Sequence, residues 1–186
     1  MKKSDLLLKG AVGAGVLAVV ALVIARAFFV DLYRIPQDGM YPALPAGSRI
    51  LVARRPYGDV SDVERGDVVV FRRDEGGQPY NYIWRVVALP GDQVVASDRA
   101  LSVNGVAVSR QEIREVNGAT VFQETVGDAR YEVAFSAVPQ ATPPSISVVV
   151  PADHVFVMGD NRYGARDSRY FGPIPFGSIS GKKIWP

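Results

Sequence analysis

The side chains best able to do chemistry crowd into Met158 to Pro175, MGDNRYGARDSRYFGPIP, where two aspartates and three arginines share 18 residues with Gly, Asn and Pro. Asp160, Asn161, Arg162, Asp167, Ser168 and Arg169 can hold such a loop by charge-assisted hydrogen bonds, and two carboxylates brought together can do acid–base work. Asp38, in a second turn-rich stretch, would supply such a pair if it faced Asp160 or Asp167. An exposed turn aspartate is the plainer reading. His154 is the only histidine, and one imidazole makes no metal cluster; it reads as a strand-edge residue. Ser48 follows Gly47 but leads into a strand, with no lysine or histidine at a useful spacing. There is no cysteine, so thiolate chemistry and disulfides are both excluded. Nothing here calls for a cofactor.

These residues need a frame, and the chain supplies a strand-rich one. The apolar run Val155-Phe156-Val157 ahead of the loop reads as a buried strand. Arg49 to Val52, Asp67 to Phe71, Tyr82 to Leu89, Gln93 to Ala96 and Ala100 to Val103 are short β-branched or apolar runs. Pro-Tyr-Gly-Asp, Asp-Glu-Gly-Gly, Pro-Gly-Asp and Asn-Gly separate them, and the last is a strong hairpin dipeptide. The expectation is a mostly-β barrel or sandwich with no convincing helical period after the N-terminal stretch. Residues 106–150 are less regular, and Pro139 to Pro144 reads as a loop because three prolines in six residues break any ladder.

The 186 residues suffice for one core with a small addition, and a formal charge of +2 gives no reason to expect nucleic acid. The addition is N-terminal. Leu6 to Val30 supplies roughly the 20 residues needed to cross a bilayer, if Lys9 and Arg26 snorkel at its ends. Lys2, Lys3 and Lys9 precede it, which predicts a cytoplasmic N-terminus and an extracytoplasmic domain. A cleaved signal peptide would need a small-x-small site, and Phe28-Phe29-Val30-Asp31 is a poor one. The expected organisation is a single-pass anchor over residues 1–30 and a β domain over 31–186. Phe28, Phe29, Tyr33 and Met40 at their junction suit contact with lipid.

Four stretches in order carry a resemblance: Ile35 to Leu44 (IPQDGMYPAL), Arg65 to Phe71 (RGDVVVF), Tyr82 to Asp92 (YIWRVVALPGD) and the opening loop. Together they resemble type I signal peptidases, membrane-anchored serine proteases that remove signal peptides. The likeness is faint only over residues 106–150. It implies the signal peptidase I fold, and a mechanism in which a serine attacks the scissile carbonyl. A buried lysine of lowered pKa takes the serine's proton.

The resemblance breaks at the reacting groups. The family's nucleophile falls on Gly39, its lysine on Trp84, its lysine-orienting serine on Ala165 and its oxyanion-hole serine on Gln37. The threonine of its first motif falls on Ala43. In a serine protease the loss of nucleophile or base alone lowers kcat by about 10⁶, and a surviving oxyanion hole retains only about 10³ to 10⁴ over water. The chain is therefore expected to be a non-catalytic homologue that holds extended segments of secreted or membrane proteins, or that partners an active paralogue. The alternative is an active peptidase with a changed mechanism. Trp84 has two roles open to it: a ring filling a vacated lysine site against Gly39 and Ala165, or an aromatic lining for a retained groove.

Overall fold

The structure, a computed structural model, describes residues 3–138 and 141–185; within the first helix it describes side chains for residues 12–24 and 29. Helix α1 (Lys3–Phe29) leads directly into β1 (Val30–Arg34). Its 27 residues rise roughly 40 Å. The side chains described from Val12 to Ile24 are all exposed, Leu17 and Leu22 by about 70%. Among the described residues, no helix is long and apolar enough to cross a membrane. The side chains of Lys2, Lys3, Lys9, Arg26 and Phe28 lie outside the described set.

After β1 the chain forms β2 (Arg49–Arg54), β3 (Val68–Glu75), β4 (Gln78–Ala88), β5 (Gln93–Ser97), β6 (Ala100–Val103) and β7 (Val106–Ala107). Then come β8 (Ser109–Val116), β9 (Ala119–Val126), β10 (Ala129–Ser136), β11 (Ile146–Val149) and β12 (His154–Met158). A single helical turn α2 (Ser168–Phe171), β13 (Ile174–Pro175) and β14 (Ile179–Trp185) complete it. The main sheet runs β1-β2-β14-β3-β4-β12-β13; β10-β9-β8 and β11-β5-β6-β7 form two smaller sheets. The fold is mostly β, as expected.

The turn signals act as their chemistry dictates. Gly76 and Gly77 both take positive φ, 62° and 83°, and let β3 fold onto β4 through two residues. Residues 106–150 are more regular than the sequence reading allows, since β8, β9 and β10 make an antiparallel sheet there. Asn117-Gly118, at φ 52° and 72°, closes its first hairpin. That dipeptide marks the turn as clearly as Asn104-Gly105 marks the one between β6 and β7. Of the three strands, β8 was hidden because it is mostly exposed and polar, whereas β10 carries the alternation Tyr131-Val133-Phe135, a strand signal left unread. Residues 141–145 are irregular, as expected of the Pro-rich loop; Pro139 and Gln140 lie outside the described residues.

Among the described residues, apolar burial is split among three clusters, and two of them meet at Trp84. One gathers Ile35, Met40, Leu44, Ile50, Val52, Val68 and Val70. The other gathers Val69, Phe71, Val86, Val155, Val157 and Ile174 under the loop that follows β12. Met40 therefore does not face lipid. It is 2% exposed, because its unbranched side chain fills the space between Ile35 and Leu44, and Tyr33 packs on the same cluster. Phe29 is 67% exposed.

Candidate functional site

Two loops meet at the centre of the site. Ile35 N–H donates to Ser48 O (2.8 Å) and Gly47 N–H to Ile35 O (2.8 Å), closing the segment from 35 to 48. Asp38 caps it from within: its Oδ1 accepts from Ala46 N–H at 2.7 Å. Asp38 faces neither Asp160 nor Asp167, so the carboxylate pair does not form; an exposed aspartate gains more from a backbone donor than from a second negative charge. Ser48 Oγ donates to Pro45 O (2.6 Å), a local turn bond. His154 Nδ1 lies 2.8 Å from Ala152 O, also a local contact. The second loop reaches across through Asn161, whose backbone N–H donates to Gly39 O (3.1 Å) and whose Nδ2 donates to Asp38 O (3.1 Å).

The second loop is held by buried ion pairs. Arg85 of β4 meets both oxygens of Asp160, at 2.7 and 2.6 Å. Asp167 accepts from Gly159 N–H (2.9 Å) and binds Arg169 through Nε and Nη2 (2.8 and 2.7 Å). Ser168 Oγ accepts from Val157 N–H at 3.0 Å, so this hydroxyl satisfies a buried strand rather than facing the groove. Arg162 pairs with Glu124 of β9, and Glu124 also accepts from Arg110 of β8 at 2.7 Å. Arg162 is 1% and Glu124 0% exposed. Glu124 and Arg110 were not anticipated; both lie in the segment where neither strand nor motif was legible.

Burial opposes the charge on Glu124, but the Arg162 and Arg110 guanidiniums outweigh it and hold its pKa below the ordinary glutamate value. Burial also opposes the charge on Asp92, at the turn between β4 and β5. The Leu89 N–H, Asn104 and Arg65 reverse that and lower its pKa. The unfolded chain therefore takes up protons at these carboxylates first as pH falls. The stability they contribute is complete above the unfolded values near pH 4 and is lost below them. Thermal unfolding should show a Tm that is level from pH 7 to about 5 and drops from 5 to 3, with Asp92→Asn flattening the drop. A Tm equally level down to pH 3 would refute this.

Gly39, Trp84, Gly159 and Ala165 converge on one point. A Cβ placed on Gly39 would lie 2.5 Å from Trp84 Cη2 and 2.7 Å from Cζ3. One placed on Gly159 would meet Trp84 Cζ3 at 3.1 Å and overlap Ala165 Cβ. The outer edge of the indole thus occupies the volume a side chain at 39 would need. The indole N–H is buried and has no hydrogen-bond partner among the described residues, so packing alone sets the ring's position.

The same ring lines an open groove of about 430 Å³. Gln37, Gly39 and Met40 lie along it, as do Tyr80, Tyr82 and Trp84 of β4. The ring thus both packs against Gly39 and lines the groove. Among its described lining residues there is no serine, threonine, cysteine, lysine or histidine. The aromatic alternation Tyr80-Tyr82-Trp84 was the sequence signal for this wall, since residues two apart on a strand share a face.

The groove borders an unpaired strand edge. Val86 N–H donates to Asp67 O and Gly66 N–H to Val86 O, both at 2.8 Å, so even-numbered residues of β4 turn their backbone groups to the β3 side. Odd-numbered residues turn the other way. Arg85 there meets Met158, the last residue of β12. Asn81 and Ile83 have no strand beside them among the described residues, and Pro79 has no N–H to leave unpaired.

The whole sequence also has relatives. A family described as "Signal peptidase, peptidase S26" matches residues 8–186. Signal peptidase I of Pseudomonas fluorescens is 35% identical over 196 residues, spanning 89% of this chain and 69% of its own length. Signal peptidase IB of Staphylococcus aureus is 34% identical over 175 residues, spanning 91% and 85%. A solved signal peptidase I from Enterococcus faecalis is 28% identical, with a TM-score of 0.40 over 64% of this chain and 95% of that one. The chain belongs to the signal peptidase, peptidase S26, family.

Proposed function

We propose that this protein is a membrane-anchored, non-catalytic signal peptidase I homologue whose groove holds extended segments of secreted or membrane proteins. The carrying observation is the mutual contact of Gly39 and Trp84 beside an open groove whose described lining has no nucleophile–base pair. In the register suggested by the motifs, the attacking hydroxyl is replaced by a hydrogen, its proton acceptor by an indole, and the orienting hydroxyl by the methyl of Ala165. An indole carries no basic nitrogen. The outward backbone groups of Asn81 and Ile83 suit strand addition, in which main-chain bonds give affinity. The exposed apolar side chains of α1 support an anchor, with the β domain outside the cytoplasm. This reading expects an active paralogue as a partner, and co-purification tests it.

Family membership favours one competing reading, cleavage by a changed mechanism. It requires a base within hydrogen-bond reach of a hydroxyl; the described lining offers the Tyr80 and Tyr82 hydroxyls beside no amine or imidazole. Purified full-length protein incubated with a preprotein in detergent is expected to leave it intact while retaining it on a pull-down. Cleavage after a small-x-small site, persisting with other proteases excluded, would overturn the non-catalytic reading.

A further inference from the structure

The far end of the groove carries a charge arrangement that the family motifs do not contain. In the β3–β4 register Val69 faces Trp84, Phe71 faces Tyr82, Arg73 faces Tyr80 and Glu75 faces Gln78. These residues share one face of the hairpin, so its wall passes from the indole beside Gly39, through Tyr82, to a cluster of charged side chains. At the tip, Arg73 Nη1 donates to Glu75 Oε1 at 2.5 Å, and the Arg73 guanidinium lies 4.5 Å from the centre of the Phe171 ring. Glu75 and Arg73 thus offset each other. Arg166, on the loop after Asn161, lines the same groove, and its side chain is 67% exposed. Its Nε stands 3.9 Å from Glu75, at the outer limit of an ion pair and beyond a hydrogen bond. Arg73, Glu75 and Arg166 together leave one net positive charge, and Arg166, the more exposed of the two cations, carries a planar five-donor group suited to a carboxylate.

We propose that Arg166 makes the groove select extended segments that carry an acidic side chain several residues away from the one passing Gly39. This rests on the reading that the groove holds an extended segment. Tyr80, 53% exposed, gives the segment an aromatic surface between the two points. The neutralised Glu75–Arg73 pair leaves no net negative charge to repel the ligand.

The test uses full-length protein in dodecyl maltoside and three fluorescein-labelled ten-residue peptides. They are capped, rich in Thr and Val, and identical except for Glu, Gln or Lys near one end; a second set places the variable residue near the other end. In one of the two sets the Glu peptide is expected to bind about threefold to fivefold more tightly than the Gln peptide, the range of one exposed ion pair. The Lys peptide should bind more weakly than Gln. The preference should shrink in 0.5 M salt, and Arg166→Glu should reverse the order of Glu and Lys. Equal binding of all three in both sets, or an order unchanged in Arg166→Glu, overturns the role of Arg166 and leaves the groove reading standing. Binding of none of the peptides overturns both.

Discussion

Glu124→Ala is expected to destabilise the protein by about 3–5 kcal/mol, the usual consequence of leaving a buried charge uncompensated. Glu124 is fully buried between Arg162 and Arg110, and Arg162 is itself 1% exposed. Removing the carboxylate strands the Arg162 guanidinium in the interior, where its Nε already lacks a hydrogen-bond partner among the described residues. Arg110→Ala should do less, because Arg162 would still neutralise Glu124 and the Arg110 side chain is partly exposed. The damage should spread along the backbone. Arg162 N–H donates to Ala134 O (2.9 Å) and Ala134 N–H to Asp160 O (2.8 Å), so β10 extends onto the loop whose Asn161 holds Gly39. Against a total stability of about 5–15 kcal/mol the loss would be large. Urea unfolding of the two variants measures it, and a loss below 1 kcal/mol for Glu124→Ala would show that the triad contributes little.

The difference between Glu124 and Asp160 also shows what a sequence can reveal. Asp160, Arg162, Asp167 and Arg169 stand in one short loop, so their pairing could be anticipated from spacing, and Asp167 does bind Arg169 two residues on. The partners of Asp160 and Arg162 are 75 and 38 residues away, on β4 and β9. Nothing in the local pattern of β9 marks Glu124 as buried rather than solvated. The strands from Arg49 to Val103 were legible because buried runs alternate with Gly and Pro turns. In the sheet of β8 to β10 the Asn117-Gly118 turn and the alternation Tyr131-Val133-Phe135 were signals left unread, and only β8, which keeps polar residues on the surface, carried none. At the site, the small residues at 39, 159 and 165 were visible as departures or as loop glycines. Their shared contact with one indole depended on how two distant loops close on β4. Asp38 reads as a candidate acid in the sequence and serves as a turn cap, since side-chain type does not reveal whether a backbone N–H is nearer than another carboxylate.

The replacements at 39 and 84 are expected to be energetically coupled. In Gly39→Ser the new Cβ would sit 2.5 and 2.7 Å from two carbons of the Trp84 ring, well inside normal contact distance. The ring can retreat only toward the groove it lines. Its Cζ3 is already close to Gly159, and Tyr82 packs against it with ring centres 6.1 Å apart. Overpacking of this kind costs about 1–3 kcal/mol. Trp84→Lys alone removes the ring and leaves a gap bordered by Gly39, Gly159 and Ala165, with an amine in partly apolar surroundings; this too is destabilising. In the double variant the serine occupies space the indole has left, so the clash disappears and part of the gap is filled. The double variant should therefore be more stable than the sum of the single losses allows, with a coupling within the 0.5–3 kcal/mol seen for residues in contact. Urea unfolding of the four proteins closes the cycle. Additivity within about 0.5 kcal/mol would mean that the serine avoids the ring by a backbone shift, and that Gly39 is not needed to accommodate Trp84. In the register proposed above, the same four proteins also carry the chemical question, because a nucleophile and its base act as a unit. Any gain of preprotein cleavage is expected in the double variant alone; cleavage by Gly39→Ser with Trp84 intact would point to a different base.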